Sequence, residues 1–227
     1  MISVSKNIND IRALVPDGTR LVAVSKTKPV GMIEDAYGAG QRLFGENKAL
    51  EMRDKHAVLP DDIEWHFIGH LQTNKIKYII QYVTLIHSID SLSLLQAVNK
   101  EAAKHDRVVD CLLQFHIATE ETKFGLDQPE CDDLLRHYGE LPNVRIVGVM
   151  GMATNTDDKS QVRREFKNLH AIFDDLRQGF FANRAEFKEL SMGMSHDWQI
   201  AVEEGSTLIR LGSTIFGPRD YGVKVND

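Results

Sequence analysis

The sequence predicts a (β/α)8 barrel, and three observations carry that prediction. Eight short strand-like runs recur along the chain, helix-spaced segments separate them, and the 227 residues fall in the range of roughly 200 to 250 occupied by the smaller barrels of this kind. An open doubly wound sheet has the same alternation and is the runner-up, because periodicity alone does not close a sheet.

The first strand is read over 21–25, where "LVAV" is continuous enough to be buried on both faces and the "KTKP" that follows ends it. A helix-spaced "VGMIEDAYGAG" follows, then a strand over 42–45 and "NKALEMRDKHAVL". The third strand, 65–68, leads into "TNKIKYIIQYV", and the fourth, 85–89, into "SLSLLQAVNKEAAKHD", which Ser91 opens as an N-cap. A strand over 110–117 precedes "PECDDLLRHYG", with Pro129 near the first turn and Gly139 past the end. Strand 145–150 precedes the long "KSQVRREFKNLHAIFDDLRQ", strand 189–191 precedes "HDWQIAVEEG" with Gly205 at its end, and strand 208–211 precedes a short helix start. No shift in composition marks a linker, so 1–227 reads as one barrel domain.

A net charge of −6 with scattered Lys and Arg argues against nucleic acid as a partner, because phosphate backbones need a concentrated basic face. The amino-terminal "MISVSKNINDIRALVPDG" has no signal-peptide core, and no run approaches the ~18 apolar residues of a membrane span. A soluble cytoplasmic protein without membrane contact is the expectation. Cys111 and Cys131, outside any CxxC or Cys/His pattern, read as reduced structural thiols.

In such a barrel the chemistry belongs at the carboxyl ends of the strands. Lys26 follows the first strand, Asn47 the second, His70 the third, "GVMGM" the sixth and "SMGMS" the seventh, while Arg210 lies within the eighth, just before "GST". Lys26 has two readings: an amine that snorkels to solvent, or a desolvated one suited to bonding a carbonyl. "LSMGMSHDW" places Gly193 and two serines before a helix, and "IRLGSTIFG" repeats the device with Gly212, Ser213 and Thr214. Free backbone N–H groups at such positions attract an anion, and barrels often bind phosphate with the loops after strands seven and eight.

The motifs "AVSKTKP", "FGEN", "WHFIGHLQTNK", "SMGMSHD" and "RLGSTIFGPRDYG" together resemble the YggS/PROSC family of pyridoxal phosphate homeostasis proteins. The resemblance runs from about residue 21 to about residue 222, with the motifs in the family's order. It implies a TIM barrel of the alanine racemase amino-terminal type, without the racemases' carboxyl-terminal β domain. It further implies that pyridoxal 5′-phosphate (PLP) is held as an aldimine on Lys26. By the same resemblance Arg210 faces the pyridine nitrogen, Ser191, Ser195, Gly212 and Ser213 bind the phosphate, Asn47 lies by the ring, and Met152 lines the site. The competing role for Asn47 is a helix N-cap, and for Met152 core filling.

Of the nine histidines, His66 and His70 are four apart, but "WHFIGH" reads as a strand, in which that spacing spans ~13 Å. No metal site is expected. "QFHIATEETKFG" departs from the family pattern, which has asparagine where His116 stands and serine where Ala118 stands. Lys123 matches a family lysine and is a candidate second amine.

The resemblance implies a non-catalytic monomer that buffers PLP and supplies it to apo forms of PLP-dependent enzymes. The alternative is a PLP-dependent amino-acid racemase, which needs a second acid/base facing the lysine across the substrate. In racemases the added β domain supplies it. A Schiff-base aldolase would also use a barrel lysine and phosphate loops, but leaves Arg210 without a role.

Overall fold

The computed structural model describes residues 3–120 and 124–218. Eight parallel strands, β1 (Arg20–Val24), β2 (Leu43–Glu46), β3 (Glu64–Phe67), β4 (Val83–Ile89), β5 (Val109–Phe115), β6 (Val144–Gly151), β7 (Glu189–Ser191) and β8 (Leu208–Leu211), pair in chain order. β8 returns to pair with β1, matching Arg20 to Leu208 and Ala23 to Leu211, so the sheet is a closed barrel rather than an open one. That closure sets the residues after β1 beside those after β8.

Strand alternation sorts side chains into two apolar layers. Val22, Leu85, Leu112, Val147, Met150 and Leu208 fill the barrel interior. Their outward neighbours, such as Leu21, Ala23, Ile86, Leu113 and Ile209, join the apolar faces of the surrounding helices. Arg210 alternates with the outward-facing Ile209 and Leu211, so its side chain is directed inward, and it is only 4% exposed.

The ring of helices comprises α1 (Val4–Arg12), α2 (Val30–Gly38), α3 (Ala49–His56), α4 (Leu92–Ala103), α5 (Gln128–Tyr138), α6 (Lys159–Gln178), α7 (Trp198–Glu203) and α8 (Ser213–Phe216). Ser91 caps α4 by accepting from Leu94 N, and Asp127 with Glu130 forms a capping box on α5. Two segments differ from the sequence reading. α1 was not anticipated, although Ser3 caps it and Val4, Ile8 and Ile11 form its buried stripe. It lies against α2 and α8, with Asn7 Nδ2 donating to Ile215 O at 2.8 Å and Arg12 Nη1 to Ala39 O at 2.7 Å. "TNKIKYIIQYV" forms only a 3₁₀ turn, Thr73–Tyr78, before β4 begins at Val83. Ile76 in the turn and Ile79 and Ile80 just past its end are buried, so the apolar residues of the segment pack inward without a continued α-helix. Among the described residues no helix is long and apolar enough to cross a membrane.

Candidate functional site

A cavity of about 310 Å³ opens at the carboxyl ends of β1, β6, β7 and β8. Lys26, Met152, Ser195, Arg210, Gly212 and Ser213 all line it. Six of the eight positions singled out from the sequence are therefore brought together, by strand ends far apart in the chain.

Lys26 is half-buried in a turn whose neighbours are anchored on both sides. Ser25 Oγ donates to Glu46 Oε1 at 2.6 Å, and Thr27 N donates to Glu51 Oε1 at 2.5 Å. Lys55 Nζ, from α3, donates to Ser25 O at 2.8 Å and to Glu46 Oε1 and Glu51 Oε1 at 2.7 Å each. These bonds hold Thr27 at φ 64°, a left-handed conformation that a β-branched residue does not adopt unassisted. Burial pushes the Glu46 carboxyl up from its ordinary range, while Lys55 opposes that rise. Lys28 Nζ donates to the carbonyls of Phe216, Gly217 and Pro218 at 3.2, 3.1 and 2.7 Å. Of the two lysines in "KTK", both of which line the cavity, Lys28 thus ties the segment after β1 to the end of α8.

The opposite wall comes from the two loops after β7 and β8. Gly193 has φ 95°, and a Cβ there would fall 2.6 Å from the Ala201 Cβ, so only glycine permits the turn that runs into α7. Gly212 N donates to Ser195 Oγ at 3.2 Å and Arg210 N to Gly193 O at 3.0 Å, which join the two loops. A Cβ on Gly212 would press to 3.3 Å on Val24 O, so glycine also lets this loop approach the end of β1. Ser213 and Thr214 open α8 with exposed side chains and with amides that lack intrahelical acceptors. The wall suits an anion, and the apolar surfaces of Val24, Ile68 and Met152 suit a flat ring between it and Lys26.

Arg210 reaches the cavity from the barrel interior. Its Nη1 donates to Ser191 Oγ at 2.5 Å and its Nη2 to Gly151 O at 3.1 Å. Burial lowers its pKa to about 10, which leaves it protonated at neutral pH.

Ser191 and Asn47 do not line this cavity. Ser191 is fully buried beneath the cavity and is occupied by Arg210 and by His87 Nδ1 at 3.0 Å, because it lies within β7 rather than in the loop beyond it. It holds Arg210 and does not face the anion wall. Asn47 lines a neighbouring cavity with Lys48, Phe67, His70 and Lys75, and it is not the N-cap of α3, which is Lys48. His70 stacks on Phe124 with centroids 4.6 Å apart and pairs with Asp90 at 3.1 Å. His116 turns back onto its own loop, with Nε2 2.9 Å from Glu120 O, and Ala118 is buried. Lys123 lies outside the described residues. Sequence reasoning missed Glu46, Glu51 and Lys55; the only signal was the four-residue spacing of Glu51 and Lys55 on α3.

The family model for the alanine racemase amino-terminal domain matches residues 2–220. The chain is 39% identical over 203 residues to the pyridoxal phosphate homeostasis protein of Aquifex aeolicus, covering 89% of this chain and 88% of that protein. The chain belongs to the pyridoxal phosphate homeostasis protein family. The human member is 38% identical over 233 residues, covering 98% of this chain and 83% of its own. PipY of Synechococcus elongatus, solved with PLP bound, superposes with a TM-score of 0.85 at 34% identity, covering 94% of this chain and all of PipY.

The anchored turn yields a stability test. Lys55→Met leaves the buried Glu46 carboxylate without its ammonium partner, which should cost about 3 to 5 kcal/mol in denaturant unfolding. Adding Glu46→Leu should recover most of it. Without Lys55, Glu46 in the folded state takes up a proton more readily than in the unfolded chain. The single variant should therefore lose further stability against wild type as pH rises above the ordinary carboxyl value of 4.5. Unfolding of Lys55→Met indistinguishable from wild type would contradict the anchoring role.

Proposed function

We propose that this protein binds PLP through Lys26 and maintains the supply of that cofactor in the cytoplasm. In this reading it acts as a monomer that hands PLP to apo-enzymes and does not turn over amino acids. One observation carries the reading: an amine, a buried guanidinium and a joined pair of glycine-serine loops converge on one cavity of about 310 Å³. PLP carries an aldehyde, a pyridine nitrogen and a phosphate, and each finds a partner of the right chemistry there. The relatives' shared name and the PLP-bound PipY support the same reading.

Bound there, the cofactor supplies an aldehyde that condenses reversibly with a primary amine. The chain's residues do the rest. The anchored turn of 25–27 fixes where the Lys26 amine enters, and the loops of Ser195, Gly212 and Ser213 offer donors to the phosphate. Arg210 has only donors, so it leaves a pyridine nitrogen unprotonated and the ring a poor electron sink. Racemisation also needs an acid/base on each substrate face. Among the described residues lining the cavity, Lys28 is engaged by three carbonyls and His196 lies 3.3 Å from Asp197 in the β7 loop. Lys28 is thus tied to the end of α8 and His196 to the β7 loop.

Borohydride treatment of the PLP-loaded protein should fix the cofactor, and peptide mapping should find the reduced adduct on Lys26. A major adduct on Lys28 or Lys123 would overturn the assignment. Chiral chromatography with alanine and serine should show no substantial racemisation, while the loaded protein reactivates an apo-transaminase. Racemisation at ordinary enzyme rates, roughly 1 s⁻¹ or faster, would restore the racemase alternative.

A further inference from the structure

Beneath the cavity, the barrel axis holds a row of polar side chains from four strands. Arg210 of β8 contacts Ser191 of β7, Ser191 contacts His87 of β4, and His87 Nε2 lies 3.0 Å from His66 Nδ1 of β3. All four are buried, at 4% exposure or less. Two facing histidines in a parallel barrel are an expensive choice unless every donor has an acceptor, so the row can be solved atom by atom.

A guanidinium can only donate, so the 2.5 Å contact is Arg210 Nη1–H to Ser191 Oγ. The serine hydroxyl keeps one hydrogen to place, and His87 Nδ1 lies 3.0 Å from its oxygen. If His87 donated from Nδ1 instead, the serine oxygen would accept twice and its own hydrogen would be stranded in a dry interior. Serine is therefore the donor and His87 Nδ1 the acceptor. A neutral His87 then carries its proton on Nε2 and donates it to His66 Nδ1. By the same logic His66 carries its proton on Nε2. His66 borders a cavity of about 270 Å³ at the amino-terminal mouth, lined also by Glu64 and Glu189, where that proton can meet an acceptor.

We propose that Ser191, His87 and His66 form a hydrogen-bond chain of fixed direction along the barrel axis, with both imidazoles protonated on Nε2 alone, and that this chain is the positioning element that aims Arg210 at the cavity. Burial favours neutral imidazoles in both cases: it lowers His66 to about 3 and His87 well below its ordinary value, with the His66 and Arg210 charges adding to the fall at His87. The reverse direction would demand protons on both Nδ1 atoms. What Arg210 faces rests on the PLP reading given above, but the chain itself does not.

The test uses ¹⁵N-histidine NMR on the full-length, PLP-free protein, with His66→Gln and His87→Gln assigning the two signals. Both rings should show protonated Nε2 and bare Nδ1, unchanged across about pH 6 to 8. An Nδ1–H tautomer or an imidazolium at either ring would overturn the proposal. Ser191→Ala removes the acceptor for Arg210 and the donor to His87. It should mix the His87 tautomers and weaken PLP binding by roughly tenfold or more, since a hydrogen bond to a charged group is lost. Wild-type PLP affinity in Ser191→Ala would overturn the positioning role. If Ser191→Ala fails to fold, the wild-type spectrum still decides the direction of the chain. A wild-type protein with the expected tautomers that binds no PLP would uphold the chain and overturn the proposed function instead.

Discussion

A guanidinium cannot sit on the axis of a closed barrel unless the barrel is built around it. Arg210 is buried with its charge intact, and two of its donors are answered by a serine on β7 and a carbonyl at the end of β6. Each acceptor depends on strand register, and the register depends on closure between β1 and β8. Moving Arg210 out of line would leave a charge unpaired in the interior, an error that costs several kcal/mol in most proteins. The fold and the site are therefore not separable here: the same parallel ladder that shuts the sheet aims the charge at the cavity.

The other side of the cavity follows the same logic with a different device. Lys26 stands in a turn strained at Thr27, and the turn is held by Glu46, Glu51 and Lys55 from β2 and α3. Lys28 adds a tie from β1 to the end of α8. One wall is thus fixed to the next around the closing seam of the barrel: the turn that carries Lys26, the glycine-serine loops and the guanidinium are each held by hydrogen bonds of the fold itself.

What the sequence made legible was local. Strand runs, glycine-serine loops and a lysine at a strand end can each be seen within about ten residues, and the barrel rule for strand ends then gathers Lys26, Ser195, Arg210, Gly212 and Ser213. What it hid was relational. Ser191 and Ser195 look equivalent in "SMGMS", yet one lies in the strand and points down the axis while the other lies in the loop, a distinction that needs the end of β7. His66 and His87 are 21 residues apart and meet only through the β3–β4 register. Lys55 and Glu46 meet only when α3 packs back on β2. α1 is hard to see in the sequence for a different reason: its apolar stripe is only three residues long, Val4, Ile8 and Ile11, in an otherwise polar segment.

The central claim is that one cavity holds an aldehyde-bearing ring at Lys26 by gripping a phosphate at the β7 and β8 loops. Side-by-side titration of the purified protein with pyridoxal 5′-phosphate and with pyridoxal tests it most directly. The loops should make the phosphorylated form bind roughly 100-fold more tightly or better, since several charge-assisted hydrogen bonds of about 1.5 to 3 kcal/mol each are lost without it. Comparable affinities for the two compounds would contradict the account.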